Sequence, residues 1–487
     1  MCSAKTQATS SLVAYSDSRD FISGKWVWVD KMAMMNLERI DNLKINRRLW
    51  FWLALAAAAW LMESYDIGLI GVVLVPLHQM WHLSASTTGL MVASGTVGVA
   101  LGVAPAGRLA DRFGRKRVMV IALVEYSLAT LATAWSPDWQ WFALLRFVAG
   151  WGLGAMFPLP YTLLTELGPK HARGRLAGIL DGFLSFGYFL APLAASVTIA
   201  LWGPSFGWRA LFMGGGLGLV LAACLARYLP ESPRWLALHG RTAAAEDILQ
   251  RLESGIASGI STRQETMESM PLEKKIRPNV LGPTMRRRTI MLWISFPAIL
   301  LMFYTIMTFM PTILRSEGVP AKRVDFLTAL IMAASIPGKW VEAWLVEKIG
   351  RKSVIVGFSL VAAVAAVLFP MMHSVSLWVA MGLIFAFFGI AVDPAMKVFA
   401  AEQYPTEMRA AGVGYAEGWA RLLGGALAPY IMALWLEQGG VAVSFDFVAA
   451  IAVAGALVVA WLGQETRGRV LEAPRTWVAR SVEPSKL

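Results

Sequence analysis

The sequence predicts an all-α membrane protein in which twelve transmembrane helices form two pseudo-symmetric six-helix bundles. Of the 487 residues, 57% are hydrophobic and only 16% are charged, whereas a soluble protein carries roughly 25% charged residues. Apolar runs recur along the chain, and each has the ~18 or more residues needed to cross a hydrocarbon core of ~30 Å at ~1.5 Å per residue. Buried helices of soluble proteins seldom reach that length without charge.

Two motif pairs recur at one spacing and indicate a duplicated chain. The stretch GRLADRFGRK at 107–116 has a counterpart, AWLVEKIGRK, at 343–352, so that Asp111 and Glu347 are 236 residues apart. Glu166 and Glu402 are each followed seven residues later by an arginine, and they are also 236 residues apart. The repeat unit is therefore about half of the 487-residue chain.

The apolar runs divide into six plus six spans around a polar segment. The predicted spans are 49–76, 86–106, 117–135, 139–165, 176–201 and 210–228, then 289–314, 324–346, 353–372, 375–400, 410–436 and 441–463. The predicted organisation is a cytoplasmic N-terminal tail (1–48), an N-terminal six-helix bundle (49–228), a cytoplasmic central loop of helix-like composition (229–288), a C-terminal six-helix bundle (289–463) and a cytoplasmic C-terminal tail (464–487). Small-residue runs at 95–102 and 150–155 are expected to let helices pack backbone to backbone.

The net charge of +12 is distributed as in a membrane protein and does not indicate nucleic-acid binding. Lys and Arg cluster in alternate loops, at 44–48, 108–117, 170–175, 227–288, 348–352, 409 and after 465. This positive-inside pattern predicts a protein of the cell (inner or plasma) membrane with both termini in the cytoplasm. Cys2 and Cys224 cannot form a disulfide framework. No metal-ligand spacing is present, and no cofactor is predicted.

The stretch 107–117, together with its copy, resembles the signature loop of the major facilitator superfamily. A carboxylate such as Asp111 can occupy a helix N-terminus or pair with Arg, Gly114 permits a tight turn, and Gly107 is expected at a helix end where close packing is possible. The resemblance implies an inner gate at the cytoplasmic ends, whose salt bridges join the two halves in the outward-facing state. The predicted gate residues are Asp111, Glu166, Arg173, Glu231, Glu347, Glu402, Arg409 and Glu465.

The two halves of this gate are expected to be unequal. The copy has Ala343 where the first stretch has its leading glycine, and Glu347 where the first has Asp111. Replacing Asp111 by alanine is therefore expected to impair transport more than replacing Glu347.

Further motifs resemble the sugar-porter branch of this superfamily. They are RFVAGWGLG at 146–154, PESPR at 230–234 and QETRG at 464–468. One departure is Trp151, where the branch usually has an aliphatic residue. The resemblance covers about residues 49–470 and implies a secondary transporter that works by alternating access.

Two charged residues inside predicted spans are candidates for proton coupling, because a charge at a helix centre costs at least ~2.5 kcal/mol. Asp66 lies ~15 Å from the outer end of its span, and Arg146 lies ~10 Å below the same surface, so the two can pair. In sugar-porter-like proton symporters, which the chain resembles, these positions hold the proton-carrying Asp and its Arg partner. The alternative is a static buried ion pair.

Several positions depart from those of sugar carriers in this branch. Such carriers have a Gln-Gln pair and an Asn on span 7, where this chain has Ala298, Ile299 and Tyr304. An aromatic residue on span 10 is replaced by Lys397, and a Gln on span 5 by Asp181. These departures argue against a hexose as substrate.

The cations inside the second half favour a carboxylate as substrate. Lys397 and Arg421 can bind one, and the stretch GWARLLGGALAP around Arg421 resembles span 11 of metabolite:proton symporters of the aromatic-acid and nicotinate type. The predicted substrate-binding residues are Tyr304, Lys397, Arg421, Asp181 and Glu417, and the aromatic residues Phe183, Phe186, Tyr188, Tyr415 and Trp419 are further candidates for the cavity wall.

Structural alternatives exist for both cations. Lys397 can snorkel to the surface or pair with Asp393 one turn away, and Glu417 can neutralise Arg421. The carboxylates Asp181, Asp393 and Glu417 also leave room for a cationic or zwitterionic substrate.

The sequence thus predicts a transporter and not an enzyme, since no nucleophile–base pair, metal cluster or phosphate loop stands out. The predicted activity is proton-coupled uptake of a small organic anion, such as an aromatic or other carboxylic acid, by a protein expected to be monomeric. Its expected partners are the substrate, protons and the lipid bilayer. A sugar or polyol symporter and an organic-cation or zwitterion carrier are the alternatives, and a non-transporting sensor is a further one.

Overall fold

The protein folds into helices throughout the residues that the structure describes. The structure is a computed structural model, and it describes residues 39–40, 45–169, 173–253, 280–283, 285–316, 318–404 and 409–467. Within these ranges the other residues form turns and bends, and no strand is present. The all-α prediction is confirmed, whereas most of the two predicted tails and of the predicted central loop lies outside the described residues.

Helices of the first half begin at polar caps and continue through apolar runs. They are α1 (Arg47–Trp81), α2 (Ala85–Phe113), α3 (Arg115–Thr133), α4 (Trp139–Met156), α5 (Leu159–Leu167), α6 (Arg173–Met213) and α7 (Leu217–Tyr228). The side chains of Asn46, Ser84 and Asp138 accept hydrogen bonds from backbone N–H groups at the starts of α1, α2 and α4. Such caps satisfy donors that the first turn of a helix leaves unpaired.

Two short helices of the central segment dock onto the first half. They are α8 (Pro233–Leu238) and α9 (Thr242–Glu253). The first contacts the end of α2, where Trp235 Nε1 donates to the Asp111 carbonyl at 2.8 Å, and the second contacts the start of α1. Arg39 forms ion pairs with Glu246 and Glu253, and the Asn46 amide donates to the Leu252 carbonyl. The helix-like composition predicted for this segment is confirmed as far as Glu253.

Helices of the second half follow one another with few intervening residues. They are α10 (Arg286–Tyr304), α11 (Met310–Ser316), α12 (Ala321–Ala333), α13 (Ser335–Ile349), α14 (Arg351–Leu368), α15 (Val375–Gly389), α16 (Val392–Gln403), α17 (Arg409–Ala420) and α18 (Ala428–Leu462). Two π-helical segments, Thr305–Phe309 and Arg421–Leu427, connect α10 to α11 and α17 to α18.

Eight helical segments of the described residues are long and apolar enough to cross a membrane. Two of them, Ile179–Tyr228 and Gly412–Leu462, contain 50 and 51 residues, which is ~75 Å of helix and more than twice the thickness of a hydrocarbon core. Each includes a glycine with non-helical backbone angles, Gly203 at a φ of 73° and Gly440 at 72°. Each segment is therefore long enough for two crossings, and the count of twelve spans stays a prediction.

The expected backbone-to-backbone packing is present between α2 and α4. A Cβ atom on Gly98 would lie 3.0 Å from the backbone nitrogen of Trp151, and one on Gly150 would lie 3.1 Å from that of Val99. A larger side chain at either glycine would push the two helices apart. The small-residue runs thus serve the close helix contact that is common in membrane proteins.

The two halves of the chain pack together far from the loops that contain 107–117 and 343–352. Late in α1, a Cβ atom on Gly71 would lie 3.0 Å from the Thr308 Cα atom, and near the start of α2 one on Gly89 would lie 3.1 Å from the Tyr430 Cα atom. Gly89 lies at the opposite end of α2 from the loop 107–117. Arg351 of the other loop pairs with Glu402, and Arg288 at the start of α10 donates to the neighbouring Gln403 carbonyl, so that loop lies at the end of α10 opposite Thr308. Both loops are thus on one side of the molecule, the basic side. The close packing between halves described here lies toward the opposite side.

Candidate functional site

A buried ion pair joins α1 to α4 within the first half. Nη1 of Arg146 lies 2.8 Å from Oδ2 of Asp66 and 3.0 Å from Oδ1, and the Thr130 hydroxyl donates to Oδ1 at 2.8 Å. Asp66 is 2% exposed and Arg146 is 4% exposed. The pairing expected from the matched depths is present, and charge-assisted hydrogen bonds satisfy it on several sides.

A cavity of about 400 Å³ adjoins this pair and reaches the second half. Arg146 and Thr96 line it from the first half, and Tyr304 and Thr308 line it from the second. Arg146 therefore lies at a surface that the two halves share.

A second cavity, of about 500 Å³, lies between the halves and contains most of the predicted substrate residues. The charged residues of its wall are Lys339, Asp393, Lys397, Glu417 and Arg421. Its aromatic residues are Phe157, Tyr188, Phe296, Phe303 and Tyr304. A lining of aromatic side chains with a few charged groups is typical of small-molecule sites, and Tyr304 belongs to the walls of both cavities.

The two predicted substrate cations have carboxylate neighbours on their own helical segments. Lys397 pairs with Asp393 at 2.7 Å, and Arg421 lies 3.6 Å from Glu417. The Nε of Arg421 is buried and has no hydrogen-bond partner among the described residues, so one donor of the guanidinium is left unsatisfied. Its guanidinium carbon lies 3.7 Å from the centre of the Phe157 ring, a cation–π contact.

Both π-helical segments begin beside a cavity residue. Thr305–Phe309 follows Tyr304 directly, and Arg421–Leu427 starts with Arg421 itself. A π turn re-aims the side chains around it and is frequent at functional sites. The sequence contains no simple signal for these turns, so this part of the site geometry was not predictable.

Lys339 was missed by sequence reasoning, and the structure places it on the wall of the second cavity. Its Nζ atom lies 2.9 Å from Oδ2 of Asp181 in α6. Asp181 is thus brought to the predicted site through Lys339, and its Oδ1 is also 4.0 Å from Lys397. The available signal was a charge inside the predicted span 324–346, the same signal that identified Asp66.

The expected aromatic wall is only partly correct. Tyr188 lines the cavity, whereas the four other candidates are exposed on the surface of the described protein: Phe183, Phe186, Tyr415 and Trp419. Exposed aromatic residues suit a lipid-facing surface, which the periodicity of single spans does not distinguish from a cavity wall.

Residues of the first loop motif form a compact cluster on the basic side. Arg115 pairs with Asp111 at 3.0 Å and with Glu166 at 3.4 Å. Glu231 accepts a hydrogen bond from the backbone nitrogen of Lys116 at 3.1 Å. The carboxylate of Glu231 thus caps the start of α3, where the helix dipole favours a negative charge.

The second loop motif forms the same cluster again. Arg351 pairs with Glu347 at 3.2 Å and with Glu402 at 3.2 Å. Glu465 accepts hydrogen bonds from the backbone nitrogens of Arg351 and Lys352, each at 3.0 Å. The duplication inferred from the 236-residue offset is therefore visible in the side-chain contacts.

Glu465 has a perturbed pKa because it combines partial burial with several donors. Burial alone would raise the pKa of this carboxyl, but backbone N–H groups of Arg467, Thr466, Arg351 and Lys352 stabilise the charged form and lower the pKa below its usual range. The cap on α14 is thus a charged one at neutral pH.

The glycine of each motif is required by its backbone geometry. Gly114 has a φ of 103° and Gly350 a φ of 98°, which side chains disfavour. A Cβ atom at either position would also collide with the carboxylate of Glu231 or Glu465, respectively. The predicted tight turn at Gly114 is confirmed.

The described gate carboxylates pair within their own half in this conformation, and not across the halves as expected for the outward-facing state. The cross-half ion pairs of the described residues near the cavity are instead made by Asp181, with Lys339 at 2.9 Å and with Lys397 at 4.0 Å. The side chains of Arg173 and Arg409 lie outside the described residues, so their predicted role stays a prediction.

A comparison with models of protein families assigns the chain to a superfamily. The family model described as Major Facilitator Superfamily matches residues 51–415 and 292–484. The chain belongs to the major facilitator superfamily. This confirms the resemblance seen in the two loop motifs, and this superfamily member is a membrane transporter rather than an enzyme.

Similar members of the superfamily are named transporters of small molecules. The niacin transporter NiaP of Acinetobacter baylyi is 32% identical over 90% of this chain and 99% of its own. A gallate transporter of Pseudomonas putida is 31% identical over 86% of this chain and 93% of its own. The 4-hydroxybenzoate transporter PcaK of A. baylyi is 28% identical over 78% of this chain and 84% of its own.

The fold of this superfamily member matches that of solved transporters. The xylose transporter XylE of E. coli, in a partially occluded inward-open conformation, superposes with a TM-score of 0.71 at 19% identity. The match covers 87% of this chain and 99% of that one, so the fold is shared over almost the whole of XylE.

Proposed function

We propose that this protein takes up a small aromatic carboxylate, such as nicotinate, together with protons. The observation that carries the substrate class is the cavity between the halves, where Lys339, Lys397 and Arg421 converge among aromatic rings. The names of the relatives support it, because niacin, gallate and 4-hydroxybenzoate each combine one aromatic ring with one carboxyl group.

Arg421 is the proposed anchor for the substrate carboxylate. Its planar guanidinium can form two parallel hydrogen bonds to a carboxylate, and the unpartnered Nε is one of the donors available for them. Phe157, which lies under the guanidinium, and Tyr304 offer faces and edges to an aromatic ring. Lys397 and Lys339 supply further positive charge.

Asp66 is the proposed proton carrier. Protonation of its carboxyl would weaken the bonds from Arg146 and Thr130. Arg146 and Tyr304 line one cavity, and Tyr304 also lines the substrate cavity. Loss of the ion pair would thus be transmitted to the surface between the halves, which must rearrange during alternating access.

The proposed orientation puts the basic side, with both termini, in the cytoplasm of a cell whose inner or plasma membrane holds the protein. The duplicated loop motifs and the alternating basic loops support two six-helix halves in this orientation. One copy of the chain is proposed to contain a complete site, because residues of both of its halves line the substrate cavity.

Matched ligand pairs test the substrate class. Purified protein is expected to be stabilised against heat by nicotinate and benzoate and much less by nicotinamide and benzamide, which have the same rings without the charge. Stabilisation by a hexose or by a quaternary amine, with no response to the carboxylates, would support the alternative carriers and contradict the proposal.

The variant Asp66→Asn tests the coupling. In proteoliposomes with an inward proton gradient, this variant is expected to lose accumulation of labelled nicotinate but to retain exchange of internal for external nicotinate, because exchange needs no proton release. Glu437→Gln removes an exposed carboxylate of α18 and serves as the control that keeps accumulation. Proton-driven accumulation by Asp66→Asn would remove Asp66 from the coupling mechanism.

A further inference from the structure

An ion pair links the two halves on the basic side of the substrate cavity. Asp181 lies 8 residues into α6, or ~12 Å from its start, and Lys339 lies 10 residues before the end of α13, or ~15 Å. The start of α6 and the end of α13 are both on the basic side. Lys397 of the cavity wall lies 6 residues before the end of α16, or ~9 Å, so the pair joins the halves at the depth of the charged, basic-side part of the cavity.

Lys339 differs from the other two cations of the cavity in the origin of its partner. Lys397 and Arg421 have carboxylates one turn away on their own segments. The carboxylate within 3 Å of Lys339 comes from the other half, at 2.9 Å. Lys339 nevertheless lines the substrate cavity, so its ammonium is within reach of a bound anion.

We propose that Asp181 is an internal competitor for the substrate: its carboxylate occupies Lys339 in the empty carrier and keeps the basic side closed, and the substrate carboxylate displaces it and frees the halves to separate there. The inference rests on the proposed function for the anionic nature of the substrate. It adds the step by which binding changes the conformation.

The exchange of one carboxylate for another makes this step energetically accessible. Breaking a buried pair outright leaves a charge without compensation and is strongly unfavourable. When a substrate takes over Lys339, that ammonium stays paired, and Asp181 still has Lys397 at 4.0 Å until water enters from the opening side. The substrate thus stabilises the separated state more than the closed one, which a ligand must do to shift an equilibrium.

Binding to the variant Asp181→Asn tests the competition. Removal of the Asp181 carboxylate is expected to lower the Kd of the purified full-length protein for nicotinate by about five- to tenfold. The wild-type Kd is higher because the substrate binds only the fraction of carriers in which Lys339 is free. The Kd for nicotinamide is expected to stay unchanged. An unchanged or higher Kd for nicotinate would overturn the inference, whereas a wild type that does not distinguish the two ligands would contradict the proposed function instead.

A charge swap tests the closing role without any ligand. Leu300→Cys in a Cys2→Ser, Cys224→Ser background places one thiol on the cavity wall, whose alkylation reports access from solvent. Asp181→Lys is expected to speed alkylation, and Asp181→Lys combined with Lys339→Asp is expected to return it toward the starting rate. Asp247→Asn, which breaks an exposed ion pair with Arg251 inside α9, is the control with no change. Equal rates in all four proteins, or no recovery in the swap, would overturn the closing role.

Discussion

The charge of Arg421 is compensated by a neighbouring carboxylate that does not occupy all of its hydrogen-bond donors. Glu417 stands 3.6 Å away, too far for a strong hydrogen bond, so it compensates the charge without occupying the donors. Phe157 covers one face of the guanidinium. The structural alternative considered for Arg421, neutralisation by Glu417, is therefore compatible with the proposed anion binding.

Substitutions of Arg421 should distinguish the contribution of its charge to substrate binding from the contribution of its geometry. Arg421→Ala is expected to weaken nicotinate binding about ten- to a hundredfold, because a charge-assisted hydrogen bond contributes ~1.5–3 kcal/mol. Nicotinamide binding should change little. Arg421→Lys keeps the charge but loses the planar guanidinium that can form two parallel hydrogen bonds. Its Kd for nicotinate, measured by titration calorimetry, should fall between those of the wild type and the alanine variant. Equal losses for acid and amide in the alanine variant would exclude Arg421 from carboxylate recognition.

The ion-pair partners of some residues could be predicted from the sequence, whereas those of others could not. Asp66 and Arg146 were predictable because depth in the membrane can be counted along each span, and both lie in the same half. The Asp181–Lys339 pair was not predictable, since the choice among several carboxylates depends on how the halves pack. Periodicity within one helix carries no information on that packing.

At the scale of elements, the two loop motifs are closer in geometry than their sequences suggest. Asp111 and Glu347 have side chains that are 76% and 73% exposed, and each pairs with the arginine four residues later. The ion pairs therefore give no reason for unequal halves, and the greater importance of Asp111 stays a prediction. Gly107, expected at a helix end, lies inside α2, which continues to Phe113.

The two glycines of the first motif should respond in opposite ways to alanine. Gly107 is exposed, and a Cβ atom there would meet nothing within 4 Å. Gly107→Ala should keep transport and raise helix stability by about 0.5–1 kcal/mol, in agreement with Ala343 in the copy. Gly114→Ala should lower the melting temperature and transport, because it combines a disfavoured φ with a collision against Glu231. A neutral Gly114→Ala variant would contradict the role of this turn.

The charged cap on α14 predicts a pH-dependent stability. The folded-state pKa of Glu465 is lowered, so its contribution is present above the ordinary carboxyl pKa of ~4.3 and is lost as the pH falls through the lowered value. Glu465→Gln should therefore melt at a lower temperature than the wild type at pH 7, and this difference should shrink below about pH 4. Glu347→Gln, whose parent carboxyl is mostly exposed, should show little difference at any pH. A difference in melting temperature between Glu465→Gln and the wild type that stays constant with pH would indicate a steric cause rather than the loss of a charge.

At the scale of the whole molecule, duplication explains which features were predictable. A repeat constrains helix order, the position of both gate clusters and the side on which they lie, and all of these can be read from one offset in the sequence. It does not constrain features made where unlike halves meet, such as the cavity with cations mainly on the second-half side. The proposed substrate site lies at that asymmetric surface, which is why the motifs identify a transporter but do not specify its substrate.

The packing between halves opposite the basic side should open in every transport cycle, and a cross-link can test this. Gly89→Cys with Tyr430→Cys, in a Cys2→Ser, Cys224→Ser background, joins α2 to α18 where their backbones nearly touch. Oxidation is expected to abolish nicotinate uptake, and reduction is expected to restore it, because the locked side can no longer admit substrate.

Gly389→Cys with Ala362→Cys is the matched control: the two Cβ positions are 3.5 Å apart within the second half, a separation that suits a disulfide. This second cross-link should form and leave uptake intact, since each half moves as a unit. Uptake that survives the first cross-link would show that the halves do not separate on this side, and alternating access would then need a different moving surface.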